Sequence, residues 1–151
     1  MMPVSLDFDT IRSKIKTRKR HDKMEIWDIL RQKWLILQPE EWVRQNVIHA
    51  LIHEKGYSKN TMAVEKEFMI HNVKKRFDLV IYDKFVRPYL LVECKAFQVT
   101  LNQDVFDQLG LYNRTIQAPF LLASNGVLTY CFEQNHDSKA LTFRQQLPDP
   151  Q

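Results

Sequence analysis

Two nearly continuous apolar segments, residues 76–82 and 89–95, constrain the fold of this chain more than any other feature. Segments of this length with apolar side chains on both faces are typical of strands at the centre of a covered sheet. Ionisable residues interrupt both of them: Asp78 in the first, Glu93 and Lys95 in the second. Because charged groups are costly to bury unless they are paired or bind a metal, these residues are the first candidates for function.

The surrounding pattern predicts an α/β domain with a mixed central sheet flanked by helices and preceded by an N-terminal hairpin. Pro39, Glu40 and Glu41 indicate the first turn of a helix, whose apolar residues recur at helical spacing until Gly56. The expected elements are a hairpin of residues 24–30 and 34–37, that helix, strands 63–70, 76–82 and 89–95, a helix 101–113, strands 120–124 and 127–132, and a weaker strand 141–143.

Three regions are expected along the chain. Residues 1–23 form a loop or frayed arm, residues 24–146 a single domain, and residues 147–151 a proline-rich, disordered tail. The arm contains six basic side chains with little apolar content between them, namely Lys14, Lys16, Arg18, Lys19, Arg20 and Lys23. Such a run is usually a solvated surface, although it is also compatible with contacts to phosphates.

Composition excludes several classes of protein. The three glycines cannot form a P-loop or a dinucleotide-binding fingerprint. Cys94 and Cys131 are too few for a disulfide framework, and we expect reduced core thiols. A formal charge of +4 is compatible with a polyanionic partner but too small to identify one. The chain contains no secretory signal and no long apolar run, so a soluble, cytoplasmic protein without membrane contact is expected.

The ionisable residues of the two central strands are consistent with a metal site. Side chains alternate along a strand, so Glu93 and Lys95 should share one face and Cys94 should lie on the other. If the strands are neighbours, Asp78 converges with this pair, and Mg²⁺ (or Mn²⁺) could bind Asp78, Glu93 and the backbone carbonyl of Cys94. Lys95 would then orient or deprotonate a water. The alternative is structural: an ordinary ion pair of Glu93 and Lys95, with Asp78 at a strand end.

The same residues resemble a known superfamily. Asp78 followed by Glu93-Cys94-Lys95 is similar to the signature of PD-(D/E)XK nucleases, with Phe77 in place of the proline. Gln108 and Tyr112 resemble the Gln-X-X-X-Tyr motif of RecB-like nucleases and of the N-terminal domains of type I restriction enzyme R subunits. The resemblance implies a restriction-endonuclease-like αβββαβ core and Mg²⁺-dependent cleavage of DNA, in restriction or repair. It also implies catalytic roles for all five residues, the three of the signature and the two of the motif.

Further assignments concern residues outside the signature and the motif. In such nucleases a glutamate of the first helix often joins the metal site, which suggests Glu41, with Gln45 as a substitute; Glu41 could equally serve only the helix dipole. Lys74, Lys75 and Arg76 are candidates for contacts with DNA. The i, i+4 histidines, His49 and His53, are expected at the surface and not on zinc. Trp27, Trp34 and Trp42 are expected to anchor the core.

Two other functions remain open at this level. The chain could be a catalytically inactive nuclease-fold module that binds nucleic acid or a partner subunit. It could also be a purely structural interaction domain, in which Glu93 and Lys95 form a salt bridge. The sequence leaves open the choice between single- and double-stranded DNA, sequence specificity and oligomeric state.

Overall fold

The computed structural model describes residues 2–151 as two β-sheets and three α-helices. The N-terminal sheet is antiparallel, in the order β1 (Thr17–Arg20), β2 (Lys23–Asp28), β3 (Lys33–Ile36). The main sheet has six strands in chain order, β4 (Met62–Ile70), β5 (Val73–Tyr82), β6 (Pro88–Cys94), β7 (Phe120–Ser124), β8 (Thr129–Gln134) and β9 (Leu141–Arg144). The helices are α1 (Phe8–Ile11), α2 (Pro39–His53) and α3 (Gln103–Ile116).

The main sheet is mixed, as the sequence predicts. Strands β6 and β7 are parallel, whereas the other neighbouring strands are antiparallel. A parallel pair needs a long connection between its strands, and α3 lies within it. From Pro39 to Ser124 the order is helix, three strands, helix, strand, which confirms a mixed α/β architecture.

Two apolar layers hold the helices against the sheet. On one side, Val47 of α2 packs in a cluster that contains Val92 of β6. On the other, Phe106 of α3 packs in a cluster that contains Leu91. Neighbouring residues of β6 therefore contribute to opposite layers, which confirms that this strand is buried on both faces. Both cysteines are buried free thiols in the cluster beneath α2.

The basic arm is not a loop. Residues 17–20 form β1, which pairs with β2 across a tight turn at His21 and Asp22, both of which have positive φ. Because β1 has no buried side chain, it lacks the apolar alternation that reveals a strand in a sequence. Met1, the first residue of the predicted arm, lies outside the described residues.

Two other boundaries differ from expectation. Strand β8 begins at Thr129, because the amides of Val127 and Leu128 donate to the Asn125 side chain and close a turn. The last residues are also held against the domain: the Tyr57 hydroxyl donates to the carbonyl of Pro148 at 2.6 Å, and Leu147 is buried. Within residues 2–151, no helix is long and apolar enough to span a membrane.

Candidate active site

The candidate site lies where β5 and β6 separate. Leu79 is the first residue of β5 whose backbone pairs with β6, opposite Val92. One residue earlier, the carboxylate Oδ2 of Asp78 accepts a hydrogen bond of 2.8 Å from the amide of Cys94. Glu93 and Cys94 are paired with β7 on their other side. The Asp78 side chain thus replaces a backbone partner at the split, which fixes the position of its carboxylate.

Glu93 and Lys95 open towards α3. Both side chains line a pocket of about 240 Å³ together with Gln108 and Leu109 of α3. Cys94, between them in the chain, is buried in the opposite layer beneath α2. The predicted alternation is therefore confirmed for β6. The structure brings Glu93, Lys95 and Gln108 around one pocket, although α3 is distant from β6 in the sequence.

Asp78 and Glu93 form a close pair of carboxyl groups. Burial, a side-chain hydrogen bond with Glu93 and the charge of Glu93 raise the pKa of Asp78 to about 7. The Cys94 amide and Arg44 act in the opposite direction without cancelling this effect. Two carboxylates in a partly desolvated cleft favour a shared proton or a bound cation.

These donors fit a hard divalent ion in chemistry, since carboxylate oxygens are the ligands that Mg²⁺ and Mn²⁺ prefer. Within residues 2–151, however, no three His, Cys, Asp or Glu side chains converge as a ready set of ligands. A cation would have to complete its coordination with the Cys94 carbonyl and with water. Mg²⁺ in particular commonly keeps several waters.

Lys75 is the residue that neutralises Glu93. Its Nζ lies 3.2 Å from Glu93 Oε2 and 5.2 Å from the ring centre of Tyr112, which packs edge-on against Phe77. Among the described residues Lys95 makes no ion pair with a carboxylate, so the salt bridge of the structural alternative does not form between Glu93 and Lys95. Tyr112 therefore reaches the site through Lys75. Side-chain alternation along the strand could have distinguished Lys75 from Lys74 and Arg76. Lys75 lies two residues before the buried Phe77 and therefore shares its face of the sheet, whereas Lys74 and Arg76 lie on the other face.

Glu41 lies in a different group of charges. Its carboxylate accepts hydrogen bonds from Arg44 at 2.8 Å, Gln45 at 3.1 Å and Arg31 at 3.3 Å. Arg31 and Arg44 also pair with Glu65, at 3.4 and 3.5 Å. The structure thus does not bring Glu41 into the pair of Asp78 and Glu93.

Arg44 links the two groups of charges, because its Nη1 lies 3.5 Å from the backbone carbonyl oxygen of Asp78. Glu65 has positive φ in the middle of β4, between the residues paired with Phe77 and Leu79. Arg31, Arg44 and Glu65 were not among the predicted site residues. The position of Arg44 one turn after Glu41 was the available signal.

The sequence comparison identifies the family of the chain. The model described as "Type I restriction enzyme R protein N terminus (HSDR_N)" matches residues 39–148. The chain belongs to this family. The match includes every predicted site residue from Glu41 to Tyr112 and begins only after the N-terminal sheet has ended. No curated protein matches the chain with significance.

A solved structure shows a weaker similarity to this member of the R protein N-terminus family. It is described as a fragment of a putative HsdR subunit of a type I restriction enzyme from Vibrio vulnificus YJ016. The identity is 18%, the TM-score is 0.48, and the match covers 68% of this chain and 22% of that chain. The chain thus spans about a fifth of that chain's length.

In this family member, the basic residues at the start of β5 do not form one surface. Lys74 and Arg76 are exposed, and Arg76 pairs with Glu67 at 3.0 Å, whereas Lys75 is partly buried beside Glu93. The histidine prediction is wrong for His49, which is buried and whose Nδ1 has no hydrogen-bond partner among the described residues.

Proposed function

We propose that this chain is a metal-dependent deoxyribonuclease domain with a restriction-endonuclease-like core of the PD-(D/E)XK type. The observation that supports the proposal is the meeting of Asp78 and Glu93 at the split between β5 and β6, with Lys95 and Gln108 lining the same pocket as Glu93. Membership of the R protein N-terminus family favours a restriction-related role, with DNA as the substrate and other restriction subunits as partners.

The residues of the candidate site have complementary roles in this proposal. Asp78, Glu93 and the Cys94 carbonyl would hold Mg²⁺ or Mn²⁺, which when bound supplies positive charge and an acidified water next to the phosphate. Lys95, which has no carboxylate partner among the described residues, orients the attacking water and stabilises the charge that develops on the phosphate. Gln108 and the Lys75–Tyr112 pair position a phosphate oxygen from the side of α3.

The test is cleavage of plasmid, linear duplex and single-stranded DNA with Mg²⁺, with Mn²⁺ and with a chelator. We expect metal-dependent cleavage, which Lys95→Ala should reduce by about a hundredfold or more, with an unchanged circular dichroism spectrum and melting temperature. Lys84→Ala is the matched control, because this lysine is exposed in the turn between β5 and β6 and does not line the pocket. If no DNA is cut and calorimetry detects no metal binding, the proposal is wrong.

The second candidate is a catalytically inactive nuclease-fold module that binds DNA or a partner subunit. The Lys75–Glu93 ion pair favours it, because an ammonium group already neutralises one of the two carboxylates. This candidate predicts DNA binding that is equal with metal and with chelator, and no cleavage in either case. The same panel of DNA substrates therefore distinguishes the two functions.

A further inference from the structure

The N-terminal sheet carries the positive charge of the chain. Residues 14–36 contain eight of the 22 basic side chains but only three of the 18 acidic ones. The local excess of five exceeds the net charge of +4 of the whole chain, so the remaining residues are close to neutral. Such an asymmetry indicates a surface for a polyanion more strongly than the overall charge does.

Six of these cations are exposed and make no ion pair among residues 2–151, namely Lys14, Lys16, Lys19, Arg20, Lys23 and Lys33. The remaining two are occupied within the protein: Arg18 pairs with Glu25 at 2.7 Å, and Arg31 pairs with Asp28. Four of these free charges therefore lie in the strands of one small sheet, and Lys14 and Lys16 lie in the segment that leads into β1.

The β1–β2 hairpin also places like charges against each other. Arg20 and Lys23 are direct cross-strand partners at the tip. Opposed like charges destabilise a hairpin, and the pair lies beside a tight turn that requires positive φ at two residues. Neither feature helps the sheet to fold. An anion that bridges the two side chains would remove the repulsion.

We propose that the N-terminal sheet is a docking surface for the phosphate backbone of duplex DNA. The choice of DNA rests on the proposed function. The aromatic residues argue for backbone contacts and against base stacking, because Trp27 and Trp34 are partly buried and the Arg18 guanidinium lies 4.2 Å from the centre of the Trp34 ring. Arg18 thus covers one face of Trp34, and neither tryptophan of this sheet is a fully exposed platform for an unstacked base.

The sheet is connected to the candidate active site. Immediately after β2, Arg31 contacts Glu41 at 3.3 Å, and the backbone amide of Ile29 donates to Gln45 of α2. Glu41 in turn pairs with Arg44, which reaches the backbone of Asp78. The sheet precedes the part of the chain that the family model matches. It is therefore an additional surface that is connected through α2 to the strand that carries Asp78.

The experiment measures binding of a fluorescent duplex by anisotropy, in the presence of a chelator and over a series of salt concentrations. The Arg20→Gln/Lys23→Gln double variant should bind about tenfold more weakly. The slope of log affinity against log salt should also fall by about two, since each lost phosphate contact contributes about 0.9. The Lys84→Gln/Arg114→Gln variant removes the same charge from exposed, unpaired positions elsewhere and should change affinity by less than about twofold.

Three results would overturn the inference: wild-type affinity in the hairpin variant, an equal loss in the control, or tighter binding of the single strand than of the duplex. Melting temperatures check that the variants fold, and the hairpin variant should not be destabilised because it loses a repulsion. The anisotropy measurement in the presence of a chelator needs no cleavage. A failed nuclease test would therefore leave this measurement intact.

Discussion

Replacing Asp78 by asparagine should stabilise the metal-free protein at alkaline pH. In the unfolded chain the carboxyl group has the ordinary pKa of 3.8, whereas in the folded protein burial and Glu93 raise it to about 7. The folded state therefore binds the proton more strongly, and its stability falls as pH rises from about 4 to about 7. At about 1.36 kcal/mol per pKa unit, the full cost is about 4 kcal/mol above pH 7.

Asparagine avoids this cost and keeps the main local contact. Its side-chain oxygen can still accept from the Cys94 amide, and its NH₂ group can donate to Glu93, where the wild-type carboxyl needs a proton. We expect a gain of about 2–4 kcal/mol at pH 8 and a smaller gain at pH 5, with a difference of about 2–3 kcal/mol between the two.

The assay is urea unfolding at pH 5 and pH 8 in the presence of a chelator. Asp137→Asn, an exposed substitution with the same change of charge, should shift stability by less than about 0.5 kcal/mol. Added Mn²⁺ should stabilise the wild type at pH 8 and leave Asp78→Asn unchanged. An asparagine variant that is less stable than wild type at pH 8, or equally shifted at both pH values, would refute the reasoning.

Three further predictions concern single residues. Lys75→Met should raise Mn²⁺ affinity by about tenfold in calorimetry, because it removes an ammonium group 3.2 Å from Glu93; unchanged or weaker binding would contradict this role. Burial lowers the pKa of His49 to about 4, so the stability of the protein should fall as pH drops from about 6.5 to 4. His49→Leu should flatten this part of the profile of stability against pH, and an unchanged slope in the variant would count against this role of His49. Gly126→Ala should lower the free energy of unfolding in urea by about 1–2 kcal/mol, because Gly126 has a φ of +81° and the new Cβ would lie 3.2 Å from a valine methyl of α2. Gly56→Ala should lower it by less, because Gly56 has the same φ but open space around the new Cβ.

The order of elements could be read from the sequence because each signal is local. Apolar spacing and Pro39 identify α2, and nearly continuous apolar runs identify β5 and β6 as central strands. The same periodicity places Glu93 and Lys95 on one face of β6. The i, i+4 spacing places Gln108 and Tyr112 on one side of α3. The sequence therefore predicted that Glu93 lies beside Lys95 and that Gln108 lies beside Tyr112.

The contacts between the elements were decided by the tertiary structure. Nothing near Lys75 in the chain indicates that its ammonium group reaches Glu93 while Lys95 makes no ion pair, since the choice depends on how β5 and β6 separate. Arg31 and Arg44 hold Glu41 in the same way, through charges brought together from different segments. By itself the sequence determined which residues form each strand and helix, because periodic burial acts over a few residues. Only the packed structure decided which charges meet, because an ion pair depends on the positions of groups that are distant along the chain.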